Sequence, residues 1–446
     1  MSDFRAVPPA PPGVPAACRD RLVEVDRFEW RLGDGGDPAA LAAAFRARYA
    51  GAHSGEDGSV CGVAVLLSAA AGAVMVGGAT GAPSPVPAVP DLVLVAYAHG
   101  PVRGAASLGA FRVGPWAASW SSSDHAKAVA LVQEAIGRGD VYVANVVGHR
   151  RAAWSGDPGA IAHAVSTVAG ASWGGVLSGE GWLVASGSPE CFLSADAAAA
   201  ATYPIKGTAP ATPEGRVALL ASVKERAEHV MIVDLERNDL AQVAVPGTVS
   251  VKDLFHIGRW AGLWQAESTV TADLAPGTGF ADLLRAMCPP GSVTGAPKLA
   301  VLDLVGGLEP VGRGPAMGAF GFLCGDEVRL GVTIRTVALD AEHVHVWSGG
   351  GITWRSDPRA EVAEAEAKAA GVAASLGALT TGRSARSRGS ALSPARAARR
   401  ATRRGRGAGA ASRSRVRPRS RAPSAGRDGR DAATRSRHCR RRRSLG

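Results

Sequence analysis

The chain has 446 residues, 46% of them apolar, and a formal net charge of +11. That length allows one large core or two to three domains, and no apolar run reaches the roughly 18 residues of a membrane span. The N-terminus lacks a basic-then-apolar export pattern, and the six cysteines form no CxxC pair. Both features predict a reducing, cytoplasmic setting without a zinc site or disulfide frame.

The charge is unevenly spread. Residues 381–446 carry 22 arginines, no lysine and two acids, about +20, which leaves the remainder near −9. The basic character belongs to a tail.

In chain order, residues 1–20 are rich in Pro and Ala and predict a disordered leader. From 21 to 119, short apolar runs at 60–68 and 91–98 alternate with Gly/Pro breaks and predict strands of an N-terminal subdomain. Residues 124–138 place Ala126, Val129, Val132 and Ile136 at helical spacing. Ser123 or Asp124 is the expected N-cap, with Gly137 and Gly139 as the stop. Thr212-Pro213 predicts the start of a helix carrying Glu225 and Glu228 on one face. A second helix is expected near 294–297, with Lys298 in its first turns, where free N–H groups favour an anion. A third starts at Ser356-Asp357-Pro358 and lines up Glu361, Glu364 and Lys368. After about Leu379 nothing remains to bury, so 379–446 is expected to be disordered. The tail has three open readings: out-of-frame coding of a GC-rich gene, a solvating segment, or a sequence-blind nucleic-acid binder that lacks aromatics for stacking.

Lysine is scarce. There are six (Lys127, Lys206, Lys224, Lys252, Lys298, Lys368) against 44 arginines. Arginine cannot lose its proton at neutral pH, whereas a desolvated lysine can, and then acts as nucleophile or base. Lys206 sits in Pro204-Ile205-Lys206-Gly207-Thr208, sixteen positions after Glu190 of Ser188-Pro189-Glu190. Beyond it come Glu225-Arg226-Ala227-Glu228-His229, Arg237-Asn238-Asp239-Leu240 and Gly291-Ser292-Val293-Thr294-Gly295-Ala296-Pro297-Lys298. Ile334-Arg335-Thr336, Gly349-Gly350-Gly351-Ile352 and Ser356-Asp357-Pro358, leading to Glu361 and Glu364, complete the series.

This ordered series resembles the chorismate-utilising enzymes: anthranilate synthase, isochorismate and salicylate synthases, and aminodeoxychorismate synthase component I. The resemblance implies an α/β (α+β) fold of β-sheets flanked by helices, with 120–378 as the chorismate-binding catalytic domain. It implies Mg²⁺ on Glu228 and Glu364, with Glu225 and Glu361 one turn away. It implies substrate contacts from Gly207, Thr208, Lys298, Arg335, Gly349, Gly350 and Gly351. Lys206 and Glu190 become the reacting pair. Anthranilate synthases carry Ala at the position of Lys206, and a lysine there marks the aminodeoxychorismate branch, in which the amine adds at ring C2 and Glu190 is general acid. Two departures from the family pattern stand out: Gln265 replaces a usual His, and Ala316 replaces a usual Tyr. No cysteine lies in a Gly-x-Cys-x-Gly elbow, Cys61 coming nearest, so ammonia is expected from a separate glutamine amidotransferase subunit. Rival readings are an anthranilate or isochorismate synthase and, in another class, a non-catalytic chorismate-binding protein with a nucleic-acid-binding tail.

Overall fold

The computed structural model describes residues 4, 7, 8, 10–49, 56–104, 107–260 and 263–377. The expectations for 379–446 fall outside these residues. The chain begins with β1 (Leu22–Trp30), α1 (Pro38–Arg48), β2 (Val60–Leu67), α2 (Ala69–Met75), β3 (Leu92–His99), β4 (Phe111–Val113) and β5 (Ala117–Ala118). It continues with α3 (Ser122–Arg138), β6 (Val143–Gly156), α4 (Pro158–Ser166), β7 (Trp173–Gly179), β8 (Trp182–Ser188), β9 (Cys191–Ala195), β10 (Ala199–Tyr203) and β11 (Ile205–Pro210). Then come α5 (Pro213–Ala221), α6 (Val223–Ala241), β12 (Ser250–Trp260), β13 (Leu263–Asp273), α7 (Phe280–Met287), β14 (Gly295–Ala296) and α8 (Lys298–Gly306). Last are β15 (Ala319–Cys324), β16 (Glu327–Val332), β17 (Thr336–Leu339), β18 (His343–Ile352) and α9 (Pro358–Gly377). Among the described residues, no helix is long and apolar enough to cross a membrane.

Among the described residues, one sheet has ten strands, in the order β1-β3-β2-β15-β16-β9-β10-β13-β11, with β12 also on β13. The other has eight, in the order β14-β6-β18-β17-β8-β7, with β4 and β5 also on β6. All the strand pairs are antiparallel. Strands from before and after residue 120 share the first sheet, through β2 beside β15. Strand β8 shows how the layers stack. Trp182 and Val184 enter a core shared with Val65, Leu94 and Phe320 of the first sheet. The alternate residues Leu183 and Ala185 join Ile161 of α4 and Val372 of α9. A period of two therefore buries both faces of the second sheet, one on the first sheet and one under helices.

Local chemistry explains the element ends. Helix α3 begins two residues earlier than the spacing suggested, because Ser121 accepts from Asp124 N; Gly139, at φ +85°, closes it. The expected strand at 60–68 ends at Leu67, since Ser68 caps α2. The single helix expected from Thr212 is two. Thr212 caps α5 as predicted, but Ser222 breaks the run and caps α6 through Glu225 N. The leader is corrected more sharply. Phe4, Val7, Val14 and Cys18 are buried, Ala10 bridges Val176, and Ala16–Cys18 forms a 3-10 turn. Apolar side chains spaced among prolines give this segment enough surface to pack without a long helix or strand.

Candidate active site

Lys206 lies on β11, whose register against β13 slips between Ile205 and Thr208. Gly207 takes φ +90° there, a conformation that favours glycine, and a Cβ would stand 3.0 Å from Leu219 Cδ1. Such an irregularity re-aims the neighbouring side chain. His229 of α6 secures it. Its Nδ1 donates to Lys206 O (3.2 Å), and its Nε2 accepts from Ser268 Oγ (2.5 Å), which itself accepts from Phe255 N (2.9 Å). The carbonyl can only accept, so Nδ1 carries the proton. Burial pushes the His229 pKa down to about 4, so the ring stays neutral near pH 7.

The Lys206 amine makes no hydrogen bond or ion pair among the described residues. It stands 3.8 Å from where a Cβ on Gly351 would sit. Burial, and then the positive charge of Lys368, lower its pKa; Glu190, Glu228 and Glu364 oppose the shift. Glu190 occupies the turn between β8 and β9 and is 5% exposed. Burial raises its pKa against the pull of a Ser292 hydrogen bond and the charges of Lys206 and Arg335. A buried acid with a raised pKa, within electrostatic reach of an amine with a lowered one, is the pairing that acid–nucleophile chemistry needs. Arg335 holds φ +50°, rare for a side-chain-bearing residue, and its carbonyl accepts from Gly187 N at 3.0 Å. Its guanidinium charge acts on Glu190.

Residues around this pair hold it in place. Ser292, in the 3-10 turn Gly291–Val293, meets Glu190 through its hydroxyl and donates its N–H to Glu236 Oε1 (3.2 Å). Asn145 Nδ2 donates to Ser292 O at 3.2 Å. Glu236 is 2% exposed, and burial pushes its pKa up to about 8, so it stays protonated at neutral pH. Arg313 grips Glu309 with two nitrogens and donates to Val293 O (3.0 Å) and Asn145 O (2.8 Å), fastening the turn to β6. The motifs assigned no role to Ser292, Glu236 or His229. Their only signal was membership of the quoted motifs or of the helix between them.

The four carboxylates come from two helices, Glu225 and Glu228 on α6 and Glu361 and Glu364 on α9, and all act on the charge of Lys224. Glu228 Oε1 is buried and accepts no hydrogen bond, with Lys224 Nζ 3.7 Å away. Glu364 is paired with Lys368 at 2.8 Å, and that amine also donates to Gly349 O (2.9 Å). Among the described residues no three of these carboxylates converge on one point. Magnesium commonly takes one or two carboxylates, with waters and substrate oxygens filling the rest. A Glu228 oxygen without a hydrogen bond, together with Glu364 from α9, offers the two carboxylates such a site takes.

The remaining expected contacts divide. Gly349, Gly350 and Gly351 lie on β18 opposite Val147, Val146 and Asn145. Gly350 leaves room for Glu361, whose Oε2 is 3.1 Å from the missing Cβ, and Gly351 leaves room for Lys206. Thr208 is exposed and sits across from Gln265, whose buried Oε1 has no hydrogen-bond partner. Ala316 is buried in the main core. Lys298 differs from the expectation of a substrate anchor. Its amine donates to Asp239 Oδ2 (3.0 Å), Met287 O (3.2 Å) and Cys288 O (3.4 Å), so its three protons are taken up by the protein.

Residues 101–374 match the family of chorismate binding enzymes, and the whole constellation falls inside that span. The chain belongs to this family. It is 35% identical over 257 residues to aminodeoxychorismate synthase component 1 of Escherichia coli K12, a match covering 56% of each chain. It is 40% identical over 193 residues to anthranilate synthase component 1 of Streptomyces coelicolor, covering 42% of this chain and 38% of that one. The chain thus spans about half the length of the curated relatives it matches. Among solved structures it resembles anthranilate synthase component I from Streptococcus pneumoniae TIGR4, with TM-score 0.67 at 20% identity, covering 79% of this chain and 92% of that one. It also resembles the menaquinone-specific isochorismate synthase of Escherichia coli, with TM-score 0.55 at 14% identity, covering 82% and 96%.

Proposed function

We propose that the protein is an aminodeoxychorismate synthase component I, which replaces the allylic 4-hydroxyl of chorismate with an amine, toward p-aminobenzoate. The observation that carries this reading is Lys206, a half-buried lysine whose desolvated amine is lowered in pKa and lies within electrostatic reach of the buried acid Glu190. An anthranilate-type enzyme is the second reading, favoured by the 40% identity to the Streptomyces coelicolor protein. It has no use for an amine at this point.

Arg335 holds a substrate carboxylate as a two-pronged donor. Neutral Lys206 adds to ring C2 as both conjugated ring double bonds shift and the C4–O bond breaks. Glu190 gives its proton to the departing oxygen, which leaves as water. Ammonia then bonds at C4, both double bonds return, and the Lys206 amine leaves C2. This divides one difficult displacement into two easier ones. Bound Mg²⁺ offsets the negative charge of the substrate carboxylates, and Glu228 and Glu364 are the side chains that would hold it. Ammonia comes from a separate glutamine amidotransferase, or from ammonium salts in the test tube.

The test is product analysis by mass after incubation with chorismate, Mg²⁺ and ammonium. Aminodeoxychorismate is expected, and Lys206→Ala should lose roughly a thousandfold or more of that rate. Anthranilate as the wild-type product, or unchanged aminodeoxychorismate formation by the alanine variant, refutes the proposal.

A further inference from the structure

Away from Lys206, the fold gathers three metal-ligand side chains from separate segments. Cys18 closes the N-terminal 3-10 turn, Cys61 lies on β2, and His99 ends β3. Their ligand atoms all lie within 4.8 Å of one another. The residues are 2%, 1% and 3% exposed. The sequence argued against a zinc site because the cysteines lack short spacing. The structure corrects that ground, since sequence separations of 43 and 38 are closed by strand pairing and the packed leader.

The imidazole is set for metal. Ser59 Oγ spends its only proton on Glu56 O (2.6 Å), so it accepts from His99 Nδ1 at 3.0 Å. His99 Nε2 is therefore the lone-pair nitrogen, and it faces Cys18 Sγ at 3.3 Å. A hydrogen bond that fixes one ring nitrogen and frees the other is the usual support of a metal-bound histidine. In a tetrahedral zinc site the bond lengths put neighbouring sulfur and nitrogen ligands about 3.6 Å apart and two sulfurs about 3.8 Å apart. The pair at 3.3 Å and the 4.8 Å limit on the rest need shifts of only about 1 Å or less to reach that geometry. Cys18 already hydrogen-bonds Cys61. A cleft lined by Arg46, Tyr49, Cys61 and Gly325 runs alongside.

The geometry points to a zinc site formed by Cys18, Cys61 and His99, which leaves one tetrahedral position to an outside ligand. Two thiolates and an imidazole select a soft, tetrahedral ion over magnesium or calcium. Binding releases the thiol protons to solvent and ties the leader to the ends of the neighbouring strands β2 and β3. No redox change is involved.

The full-length protein, purified without chelator, should contain about one zinc per chain by elemental analysis. Cys61→Ser and His99→Gln should each lower zinc content at least about tenfold, while Cys439→Ser keeps it. Cobalt loading should give a thiolate charge-transfer band and the intense visible bands of a tetrahedral ion, absent from Cys61→Ser. If Cys61→Ser fails to fold, His99→Gln and the cobalt spectrum of the wild type carry the test. Wild type that takes up no stoichiometric zinc or cobalt overturns the proposal. So does metal content equal in wild type and variants, or an intact mass showing a disulfide between Cys18 and Cys61.

Discussion

Alanine at each of the three glycines of β18 should give graded and separable effects. At Gly349 a Cβ would lie 2.1 Å from Val146 O and 2.9 Å from Val147 Cα, both backbone of the paired strand β6. Relief requires moving one strand by about 1 Å, at a cost of about 3 kcal/mol or more. At Gly350 the nearest atom is Glu361 Oε2 at 3.1 Å, the movable end of a side chain, so the cost should stay below about 1 kcal/mol. At Gly351 the contacts are 3.5 Å to Val143 Cγ2 and 3.8 Å to Asn145 Nδ2 and Lys206 Nζ, ordinary van der Waals distances. There alanine should be neutral or gain about 0.5 kcal/mol by restricting the unfolded chain. Activity should follow a different order. The Gly351 methyl stands beside the Lys206 amine, so Gly351→Ala should keep its stability yet lose about tenfold or more in turnover. Urea denaturation gives the first ranking, and turnover with chorismate and ammonium gives the second. A Gly349→Ala protein as stable as wild type, or a fully active Gly351→Ala, refutes this account of how β18 approaches the lysine.

Glu236→Gln should leave stability nearly unchanged near pH 4.5 and raise it by on the order of 4 kcal/mol at pH 8. The reason is that the folded carboxyl, at about 8, keeps a proton that the unfolded chain releases from about 4.5, so wild-type stability falls with rising pH across that window. Urea titrations from pH 4.5 to 9 check it, and an unchanged pH slope in the variant contradicts it. Lys298→Met should cost about 3–5 kcal/mol by stranding buried Asp239, with part recovered on adding Asp239→Asn. Intact stability with a raised KM for chorismate would return Lys298 to the substrate. Glu228→Gln and Glu364→Gln should each raise the Mg²⁺ concentration for half-maximal rate about tenfold. An unmoved midpoint in both removes them from the metal site.

What the sequence disclosed follows the range of the interactions. Helices α3 and α9 and strands β2 and β3 are written in local periodicity and caps, and they were placed to within a few residues. The break between α5 and α6 was written too, in Ser222 followed three positions later by Glu225. It lay hidden in a continuous helical pattern that only the cap interrupts. The leader could not be judged, because Val14 and Cys18 pack on strands far along the chain. Lys206, Glu190, Glu228 and Glu364 were singled out because their motifs occur in a fixed order. Ser292 and Glu236 went without a role because their hydrogen bond joins residues 56 positions apart. Lys298 was assigned to the substrate from its motif and its place in the first turns of α8. Asp239, which engages it, sits 59 positions away.

The place of β15 also bears on how the chain is made. Val65 of β2 pairs with Gly321 of β15, about 250 residues later. At roughly 5–20 residues per second of synthesis, the finished hairpin of β2 and β3 waits tens of seconds for its neighbour. During that time Cys61 to Leu67, seven successive residues that end up buried, border an open sheet edge. Such an edge invites pairing with other chains. A nascent chain arrested before Ala319 should therefore be held by chaperones or precipitate, and an excised 101–374 fragment would leave β15 with the matching edge bare.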